Sequence, residues 1–499
     1  MQQNTAIISA FAIYLLSMMG IGVYAWLRTR NLADYILGGR KLGPVVTALS
    51  AGASDMSGWL MLGLPGLSYT SGLGSIWIAC GLLAGTWGNW RLMARRLRTF
   101  SLRAGDALTL PVYLENRFDD RSHLLRVLSA LVILVFFTIY TASGLIAGGK
   151  LFEEVFGLPY ETAVLIGMLS VVVYTLFGGF LAVSLTDVIQ GLLMSLALLL
   201  VPIYSLFFHD NGGLSHSFEI IRSAGNGTFL NIFSDKSGAH YSWIAILSFL
   251  GWGLGYMGQP HILARFKAIR NPDEIPAARR LAIIWTTCCL LGAIAVGLSG
   301  LVTLSATPDD PERVFILLVN SIFHPIPAGI LLAAILAAIM STADSQLLVA
   351  SSALTEDFCG IFIHKKLKAK TLVHLGRISV ILISMISTLL ALGPERAVLD
   401  VTAFAWAGFG AAFGPPLLIS LYWRKMSAAG ALAGILSGSI TVVVWHYMEG
   451  GVFGLYEIIP GTAISALSVI FVSLLTKAGQ KAELIFDQSL ADLHPRQPF

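Results

Sequence analysis

The sequence predicts an all-α, polytopic membrane protein with about thirteen transmembrane helices, built as two inverted repeats of five helices each. Its 499 residues are 56% hydrophobic and 12% charged, whereas soluble domains carry about 25% charged residues. Apolar stretches of ~20 residues, long enough to cross the hydrocarbon core, recur along the chain. Glycine, proline and small polar residues interrupt the second and the seventh of these stretches. Lipid is therefore the expected solvent, and the two interrupted helices are the expected place for a binding site.

Thirteen apolar segments are candidate spans, which we number in chain order. Span 1 has no basic n-region or small-residue cleavage site, so we interpret it as a retained helix and not as a signal peptide. Span 9 is long, and we expect it to bend or to continue as a turn. Residues 1–476 form one predicted domain, and residues 477–499 form a short cytoplasmic tail for which we expect no partner. The spans cover residues 6–27, 44–70, 73–95, 124–149, 160–182, 184–208, 241–266, 279–305, 322–356, 371–392, 398–423, 427–447 and 454–476.

Basic residues predict the orientation, because Lys and Arg remain on the cytoplasmic side of a membrane. With the N-terminus outside, 27 of the 32 Lys and Arg residues fall on the cytoplasmic side. The distribution predicts an outer N-terminus and a cytoplasmic C-terminus. The five basic residues that fall outside are Lys150, Arg222, Lys236, Arg313 and Arg396.

Spans 2 and 7 contain the two breaks. Span 2 includes SAGASDMSGW at 50–59, and span 7 includes GWGLGYMGQP at 251–260. Asp55 and Trp252 each lie eleven residues from the predicted start of their span, which places both ~16 Å deep, near the middle of the membrane. Broken helices at corresponding positions of two inverted halves indicate a transporter binding site. The repeats are residues 44–208 and 241–423, with spans 1, 12 and 13 outside them. The alternative is that these glycines only allow close helix packing.

Asp55 is the first candidate functional residue, because a carboxylate in mid-membrane costs roughly 2.5–3.5 kcal/mol on the insertion scale. Ser54 and Ser57 supply hydroxyl oxygens next to it, and the broken backbone supplies free carbonyls. Hard oxygen ligands suit a hard cation such as Na⁺. Coupling to H⁺ stays open, since a buried carboxylate can also titrate. The structural alternative is that Asp55 pairs with an arginine such as Arg40.

Two further polar positions stand out. Ser341 and Thr342 lie halfway along span 9, among alanines that admit a neighbouring helix. These hydroxyls either complete an oxygen cage beside span 2 or bond to carbonyls of their own helix. Asp187 is predicted near the start of span 6. Its carboxylate either takes part in the exit of the cation or only stabilises the helix N-terminus, which favours an anion.

Four aromatic residues are predicted near the breaks. Trp252 and Tyr256 are four residues apart and share a helical face, Trp59 follows the break in span 2, and Tyr140 interrupts span 4. They form either a pocket for a compact, partly apolar solute or ordinary helix packing.

The sequence contains no nucleotide-binding or hydrolase motif and no Cys/His metal spacing. An ion gradient is therefore the expected energy source, and we expect no enzyme activity, no cofactor and no nucleic-acid partner. Two alternatives are a membrane sensor, for which the short tail offers no output domain, and a membrane-embedded enzyme, for which no catalytic set converges.

Several motifs carry a resemblance to a known family. The chain is similar to the sodium/solute symporter family, and within it most closely resembles the bacterial sodium/proline symporters. The region WRKMSAAGALAG at 423–434 is a looser match. The motifs that carry the resemblance are GGRKLG at 38–43, SAGASDMSGWLMLGLPG at 50–66, GGFLAVSLTDVIQG at 178–191, GWGLGYMGQPHILARF at 251–266 and AAIMSTADSQLL at 337–348.

The resemblance implies a leucine-transporter-type fold with thirteen helices, and Na⁺-driven uptake of a small amino acid, with L-proline as the expected solute. It also places Asp55 and Asp187 on the ion path. Because the family carries several solute classes, another small organic solute stays the alternative. The implied sodium ligands are carbonyls of Ala53, Met56 and Ala338 and hydroxyls of Ser341 and Thr342. The implied substrate contacts are Ser57, Gly58, Trp59, Tyr140, Trp252, Tyr256 and Pro260.

Overall fold

The chain folds almost entirely into helices. In the computed structural model, the described residues contain no β-strand, only two isolated bridges. Lys236 and most of the basic segment before span 10 fall outside these residues. The structure describes residues 2–28, 32–177, 179–208, 213–235, 237–358, 369–393 and 396–493.

Helices α1 to α11 make up the first part of the chain. They are α1 (Gln2–Arg28), α2 (Leu32–Leu37), α3 (Pro44–Asp55), α4 (Leu64–Ser71), α5 (Ile76–Gly88), α6 (Arg95–Arg103), α7 (Leu110–Phe118), α8 (Leu124–Phe156), α9 (Tyr160–Phe177), α10 (Phe180–Phe207) and α11 (Gly213–Ser223).

Helices α12 to α21 make up the second part. They are α12 (Trp243–Gly251), α13 (Pro260–Ala268), α14 (Ile275–Thr303), α15 (Val314–Ile322), α16 (Pro325–Ser352), α17 (Ala369–Ala391), α18 (Val398–Tyr422), α19 (Ala428–His446), α20 (Ile458–Leu475) and α21 (Gln480–Leu493). Wider π-helical turns occupy Trp59–Gly63, Asn89–Ala94 and Ala353–Phe358, and a 3₁₀ segment occupies Trp252–Gly258.

Each predicted span corresponds to helix in the structure. Within the described residues, ten helices are long and apolar enough to cross a membrane, so the count of thirteen stays a prediction. Span 3 is wrong at its end, because helix continues through α6 to Arg103. Span 5 is also wrong at its end, since α9 stops at Phe177. Span 9 begins later than predicted, at Pro325 in α16, because the preceding α15 is a separate helix.

The core lies around three long helices. Within the most apolar stretch of α16, and likewise of α18, 83% of the residues are buried. For the most apolar stretch of α8 the share is 72%. The corresponding windows of α1 and α20 are only 28% buried. Helices that are apolar all round and still exposed must face lipid. The three buried helices therefore form the interior against which the broken helices pack.

The break in span 2 is present at residues 56–58. Helix α3 ends at Asp55, and Met56 leaves the helical region with φ −85° and ψ 87°. Helical geometry resumes with the π turn from Trp59 and continues into α4. Gly58 permits a close approach here, because an added Cβ would lie 2.4 Å from Ala147 Cβ on α8. The broken backbone is thus held against the buried core, which is the setting that non-helical backbone needs in a membrane.

The break in span 7 is longer. The α-helix ends at Gly251, a 3₁₀ segment follows, and Gln259 is extended with φ −80° and ψ 107° before Pro260 starts α13. Proline suits this first helical position because it lacks the N–H that would be unpaired there. Gly258 packs against backbone, since an added Cβ would lie 2.2 Å from the carbonyl oxygen of Phe409.

The predicted tail packs against the rest of the chain. Residues 480–493 form the helix α21, which packs on α6 through Phe486 and Phe100 with ring centroids 5.5 Å apart. Arg103 pairs with Asp492 at 2.5 Å and Arg424 with Asp487 at 2.8 Å. The end of the tail, residues 494–499, lies outside the described residues.

Candidate functional site

The end of α3 meets the middle of α16. The carbonyl oxygen of Ala53 accepts a hydrogen bond from Ser341 Oγ at 2.8 Å and a longer one from Thr342 Oγ1 at 3.4 Å. Ser341 Oγ also contacts the carbonyl oxygen of Ala338 at 3.1 Å. Met56, at the break, is fully buried beside them. Three hydrogen bonds therefore link four of the five predicted sodium ligands, and the set offers only the hard oxygen atoms that Na⁺ requires.

Asp55 lies between this oxygen cluster and the aromatic residues. Its Oδ2 accepts a hydrogen bond from Tyr256 Oη at 2.5 Å. Its backbone carbonyl accepts from Trp59 Nε1 at 3.1 Å and from Tyr140 Oη at 3.3 Å. Among the described residues, Oδ1 has no hydrogen-bond partner. One residue thus joins the two halves of the predicted site.

The alternative partner for Asp55, Arg40, lies elsewhere. Arg40 pairs with Asp106 at 2.6 Å and donates to the carbonyl oxygens of Lys267 and Ala107 at 2.9 and 3.3 Å. The structural alternative offered for Asp55 is therefore wrong, because the carboxylate has a phenol and not a guanidinium as its partner.

The four predicted aromatic residues come together from three helices. The rings of Trp59 and Trp252 lie 5.9 Å apart, which joins the two breaks directly. Tyr140 and Tyr256 meet at Asp55, as described above, and none of the four side chains is more than 6% exposed. Their burial against each other fits an enclosed aromatic site, and it equally fits helix packing without a ligand.

Two aromatic residues of this cluster were missed. Trp406 on α18 donates from Nε1 to the carbonyl oxygen of Trp252 at 2.8 Å and stands perpendicular to the Tyr256 ring at 5.0 Å. Tyr456 places its ring 5.6 Å from Trp252. The run of small residues around Trp406, AFAWAGFG, was the available signal, since small residues mark close helix contacts. Nothing in the sequence singled out Tyr456.

A small polar cavity adjoins Asp55 and was also not predicted. Its volume is about 10 Å³, and Thr86 and Asn89 line it together with Asp55 and Tyr256. The side-chain polar atoms of Thr86 and Asn89 are buried without a partner in the described part of the chain. A cavity of this size holds at most about one water molecule.

The remaining predicted substrate residues lie in different surroundings. Ser57 sits in the break with its hydroxyl buried and without a partner among the described residues. Gly58 contacts Ala147, as noted above, so its lack of a side chain serves helix packing. Pro260 lines a separate cavity that it shares with Lys267. The structure thus places Ser57 and Gly58 beside the aromatic cluster and Pro260 at the wall of another space.

Asp187 belongs to a buried charged cluster. Its Oδ2 accepts hydrogen bonds from Ser50 Oγ at 2.6 Å, Ser54 Oγ at 3.0 Å and Arg265 Nη2 at 3.2 Å. The helix-terminus account of Asp187 is wrong, because α10 begins at Phe180, and the effect of a helix dipole falls off within the first turn.

Ser345 connects this cluster to the sodium residues. Its hydroxyl lies 3.0 Å from Ser54 Oγ, receives Arg265 Nη2 at 2.5 Å and contacts the carbonyl oxygen of Ser341 at 2.9 Å. Asp344, fully buried, lies next to it in the chain. A continuous row of oxygen atoms therefore leads from the end of α3 to Asp187. Sequence patterns missed Arg265, although a charge inside span 7 was a visible signal.

The comparisons with known proteins agree with this geometry. The model of the sodium:solute symporter family matches residues 35–438. The chain belongs to this family. Its members are transporters and not enzymes.

Relatives cover nearly the whole chain. The chain is 48% identical over 503 residues to the sodium/proline symporter of Escherichia coli (strain K12). The match covers 99% of this chain and 98% of the relative. It is 50% identical over 468 residues to a high-affinity proline transporter of Bacillus subtilis (strain 168), covering 93% and 97%.

Solved structures agree with the fold. A Na⁺-coupled sialic acid symporter in a substrate-bound outward-open state is similar with a TM-score of 0.78 at 20% identity, over 95% of this chain and 98% of the other. The transporter MhsT in complex with L-phenylalanine is similar with a TM-score of 0.54 at 17% identity, over 87% and 98%. The predicted leucine-transporter-type fold of this symporter family member is thereby confirmed.

Proposed function

We propose that the protein is a secondary active transporter that couples the inward flow of Na⁺ to the uptake of L-proline. The hydroxyl–carbonyl contact between Ser341 and Ala53, beside a buried carboxylate at a helix break, is the observation that carries the proposal. The named activities of the two relatives at 48% and 50% identity support proline as the solute. Na⁺ and proline are thus its small-molecule partners, and membrane lipid surrounds it.

The sodium site uses the oxygen cluster at the end of α3. The carbonyls of Ala53, Met56 and Ala338 and the hydroxyls of Ser341 and Thr342 hold the ion. Each hydroxyl now donates to a carbonyl, and with Na⁺ bound it turns its lone pairs to the ion. Asp55 adds negative charge next to the site. The row of oxygens through Ser54 and Ser345 makes Asp187 the next group on the ion path.

The solute site lies at the aromatic cluster. Its residues are Ser57, Gly58, Trp59, Tyr140, Trp252 and Tyr256, while Pro260, the remaining predicted contact, lines the separate cavity described above. Aromatic faces attract the secondary ammonium of proline by about 2 kcal/mol when desolvated and enclose its apolar ring. Backbone N–H groups at the break receive the carboxylate. The two repeats, residues 44–208 and 241–423, move against each other around this site.

The energy of one Na⁺ is sufficient for concentrative uptake. A tenfold Na⁺ gradient supplies ~1.4 kcal/mol, and a potential of 100 mV supplies ~2.3 kcal/mol per charge. Together they support roughly 500-fold accumulation at one Na⁺ per solute.

Uptake of radiolabelled proline with Na⁺ varied at fixed pH tests the function and separates Na⁺ from H⁺ coupling. Asp55→Ala should abolish Na⁺-stimulated uptake, while the exposed Asp273→Ala should leave it intact. Unlabelled proline should compete, and glucose and pantothenate should not. Full Na⁺-stimulated uptake by inserted Asp55→Ala protein contradicts the ion assignment. Competition by a sugar but not by proline contradicts the solute.

We also propose an outer N-terminus and a cytoplasmic C-terminus in a bacterial inner membrane, on the charge distribution of the loops. A reporter fused after Phe499 should be cytoplasmic, and a tag near Gly227 should be accessible from outside. Finding both on one side contradicts the thirteen-helix topology.

A further inference from the structure

A second cavity lies on the proposed cytoplasmic side, between the end of α13, the segment before α7 and the last turns of the α16 region. Its volume is about 30 Å³, enough for a water molecule or two. Pro260 is the only residue of the predicted sodium and solute sets on its wall. Its wall also includes Leu108, Thr109, Ile133, Lys267, Leu348, Ser352 and Asp357. The cavity therefore adjoins the predicted solute residues at Pro260.

Asp357 contributes a buried carboxylate to this cavity. Its side chain is 0% exposed, and its Oδ1 accepts hydrogen bonds from Thr109 Oγ1 at 3.0 Å and Arg126 Nε at 3.1 Å. Its Oδ2 is buried with no hydrogen-bond partner in the described ranges. A carboxylate oxygen left without a partner away from water costs at least as much as a lost hydrogen bond. Asp357 Oδ2 is therefore an unused hydrogen-bond acceptor.

Lys267 contributes a buried ammonium. The residue is 1% exposed, and Nζ donates to the backbone carbonyls of Leu108 at 2.7 Å and of Ala107 at 3.3 Å. No carboxylate among the described residues lies within ion-pair distance of Nζ. When protonated, Lys267 has three donors, so with two carbonyls as its acceptors one donor is left over.

We propose that Lys267 and Asp357 form a second solute site on the cytoplasmic side, which holds the zwitterion on its way out. The Lys267 ammonium receives the solute carboxylate, and Asp357 Oδ2 receives the solute ammonium. Ile133, Leu348 and Pro260 enclose the apolar ring. The proposal rests on the proposed function, since it takes its solute from the central aromatic site. A zwitterion leaving that site brings one charge of each sign, and this cavity offers the two opposite charges.

The same contacts explain how the small cavity opens. Residues 107–109 close it, and all three are tied to charged side chains: two carbonyls to Lys267 and one hydroxyl to Asp357. A carboxylate adds the attraction between opposite charges to its hydrogen bond with the Lys267 ammonium, which a neutral carbonyl lacks. The solute carboxylate therefore displaces the carbonyls from Lys267, and the segment is released as the solute binds.

The alternative is that Lys267 only fastens residues 107–109, and inverted membrane vesicles separate the two. They expose the cytoplasmic face, where the KM for proline is compared with that for prolinamide, which keeps the ring and the ammonium but lacks the carboxylate. Lys267→Gln should raise the inner-face KM for proline tenfold or more and leave the KM for prolinamide nearly unchanged. Lys267→Arg should restore most of the preference, and the exposed Lys425→Gln should not alter it. A variant that shifts both solutes equally, or neither, overturns the proposal.

Right-side-out vesicles keep this result distinct from the proposed function. If the wild type shows no Na⁺-stimulated proline uptake there, the proposed function fails. If Lys267→Gln loses the preference for proline over prolinamide only in inverted vesicles, the loss concerns the Lys267 site alone.

A second measurement keeps Lys267 and Asp357 in place, in case their variants do not fold. Ser352 lines the cavity, and Ser352→Cys is introduced after the four native cysteines are replaced by alanine. Proline added at the cytoplasmic face should slow alkylation of this thiol by a small neutral reagent, with half-protection near the inner-face KM. Alkylation of Lys425→Cys should be unaffected. Unslowed alkylation of the Ser352→Cys thiol at saturating proline overturns the proposal.

Discussion

Replacing Asp187 with alanine removes the only described carboxylate within ion-pair distance of the Arg265 guanidinium. Asp187 Oδ2 lies 3.2 Å from Arg265 Nη2, and both side chains are 0% exposed. The change also deletes the acceptor of the Ser50 and Ser54 hydroxyls. A buried charge without its partner keeps its desolvation penalty and loses the attraction that offset it. We therefore expect a large loss of stability from this single substitution.

The magnitude follows from the geometry. Breaking a buried ion pair by removing one partner costs about 3–5 kcal/mol. Arg265 keeps hydrogen bonds to the Ser345 hydroxyl at 2.5 Å and to the His261 carbonyl at 2.8 Å, which places the expected loss near the lower end, about 3 kcal/mol. The double variant Asp187→Ala/Arg265→Met removes both charges, and its free energy of unfolding should return to within about 1 kcal/mol of wild type because the buried charge is gone.

Equilibrium denaturation of the purified protein in mixed micelles measures these differences. Asp273→Ala is the matched control, because Asp273 and its partner Arg95 are 73% and 50% exposed, and an exposed pair contributes less than about 1 kcal/mol. A single variant as stable as wild type refutes the reasoning, and so does a double variant no more stable than the single one.

Transport by the same two variants separates the roles of Asp187. If its carboxylate serves only to neutralise Arg265, the double variant should regain normal Na⁺ dependence along with its stability. If the carboxylate lies on the ion path, as proposed, the double variant should be stable and still require more Na⁺ for half-maximal uptake. Normal Na⁺ dependence in the double variant would remove Asp187 from the ion path.

Three further predictions concern the sodium residues, the aromatic cluster and the tail. Ser341→Ala should raise the Na⁺ concentration for half-maximal uptake more than Thr342→Ala, since its hydroxyl is 2.8 Å and not 3.4 Å from the Ala53 carbonyl; equal shifts would contradict this. Trp252→Ala should raise the KM for proline tenfold or more, about 1.4 kcal/mol, with little change in Na⁺ dependence, as measured by uptake at saturating Na⁺. Hydrogen bonds from Arg424 lower the pKa of Asp487, so this exposed pair should help to dock α21 at neutral pH and lose its contribution, less than about 1 kcal/mol, only as the pH falls below the usual carboxyl range of about 4 or in 1 M salt; a docked fraction of α21, measured by spin-label distances to α6, that does not fall under these conditions would contradict it.

The spans were predictable because the membrane imposes one strong constraint. Every backbone polar group in the hydrocarbon must be satisfied within its own segment, so apolar length alone finds most helices. The breaks were predictable for the same reason, since glycine and proline in such a segment need another partner. The helix ends were less predictable: helix continues beyond residue 95, the predicted end of span 3, to Arg103 at the end of α6, because polar residues continue a helix once it has left the apolar region.

Tertiary partners were not predictable from the same patterns. Lys150 was expected in an outer loop, yet it is the buried partner of Glu312 at 2.6 Å, on a helix that continues to Phe156. Trp406 and Arg265 reach the candidate site through contacts with residues that lie 154 and 78 positions away in the sequence. Hydropathy indicates whether a residue favours lipid, but it does not indicate which distant residue pairs with a buried charge. Such pairs are seen only in the folded structure.

The two interpretations of the glycines in span 7, helix breaking and close packing, turn out to be compatible. An added Cβ on Gly253 would lie 2.1 Å from the carbonyl oxygen of Gly81, and one on Gly255 would lie 1.9 Å from Trp406 Nε1. Close packing is therefore present at these residues. The break is also present, and the contact explains why it persists: the Trp252 carbonyl at the start of the 3₁₀ segment accepts the Trp406 indole N–H at 2.8 Å. Only a chain without side chains at these positions comes close enough to α5 and α18 for its freed backbone to be held there.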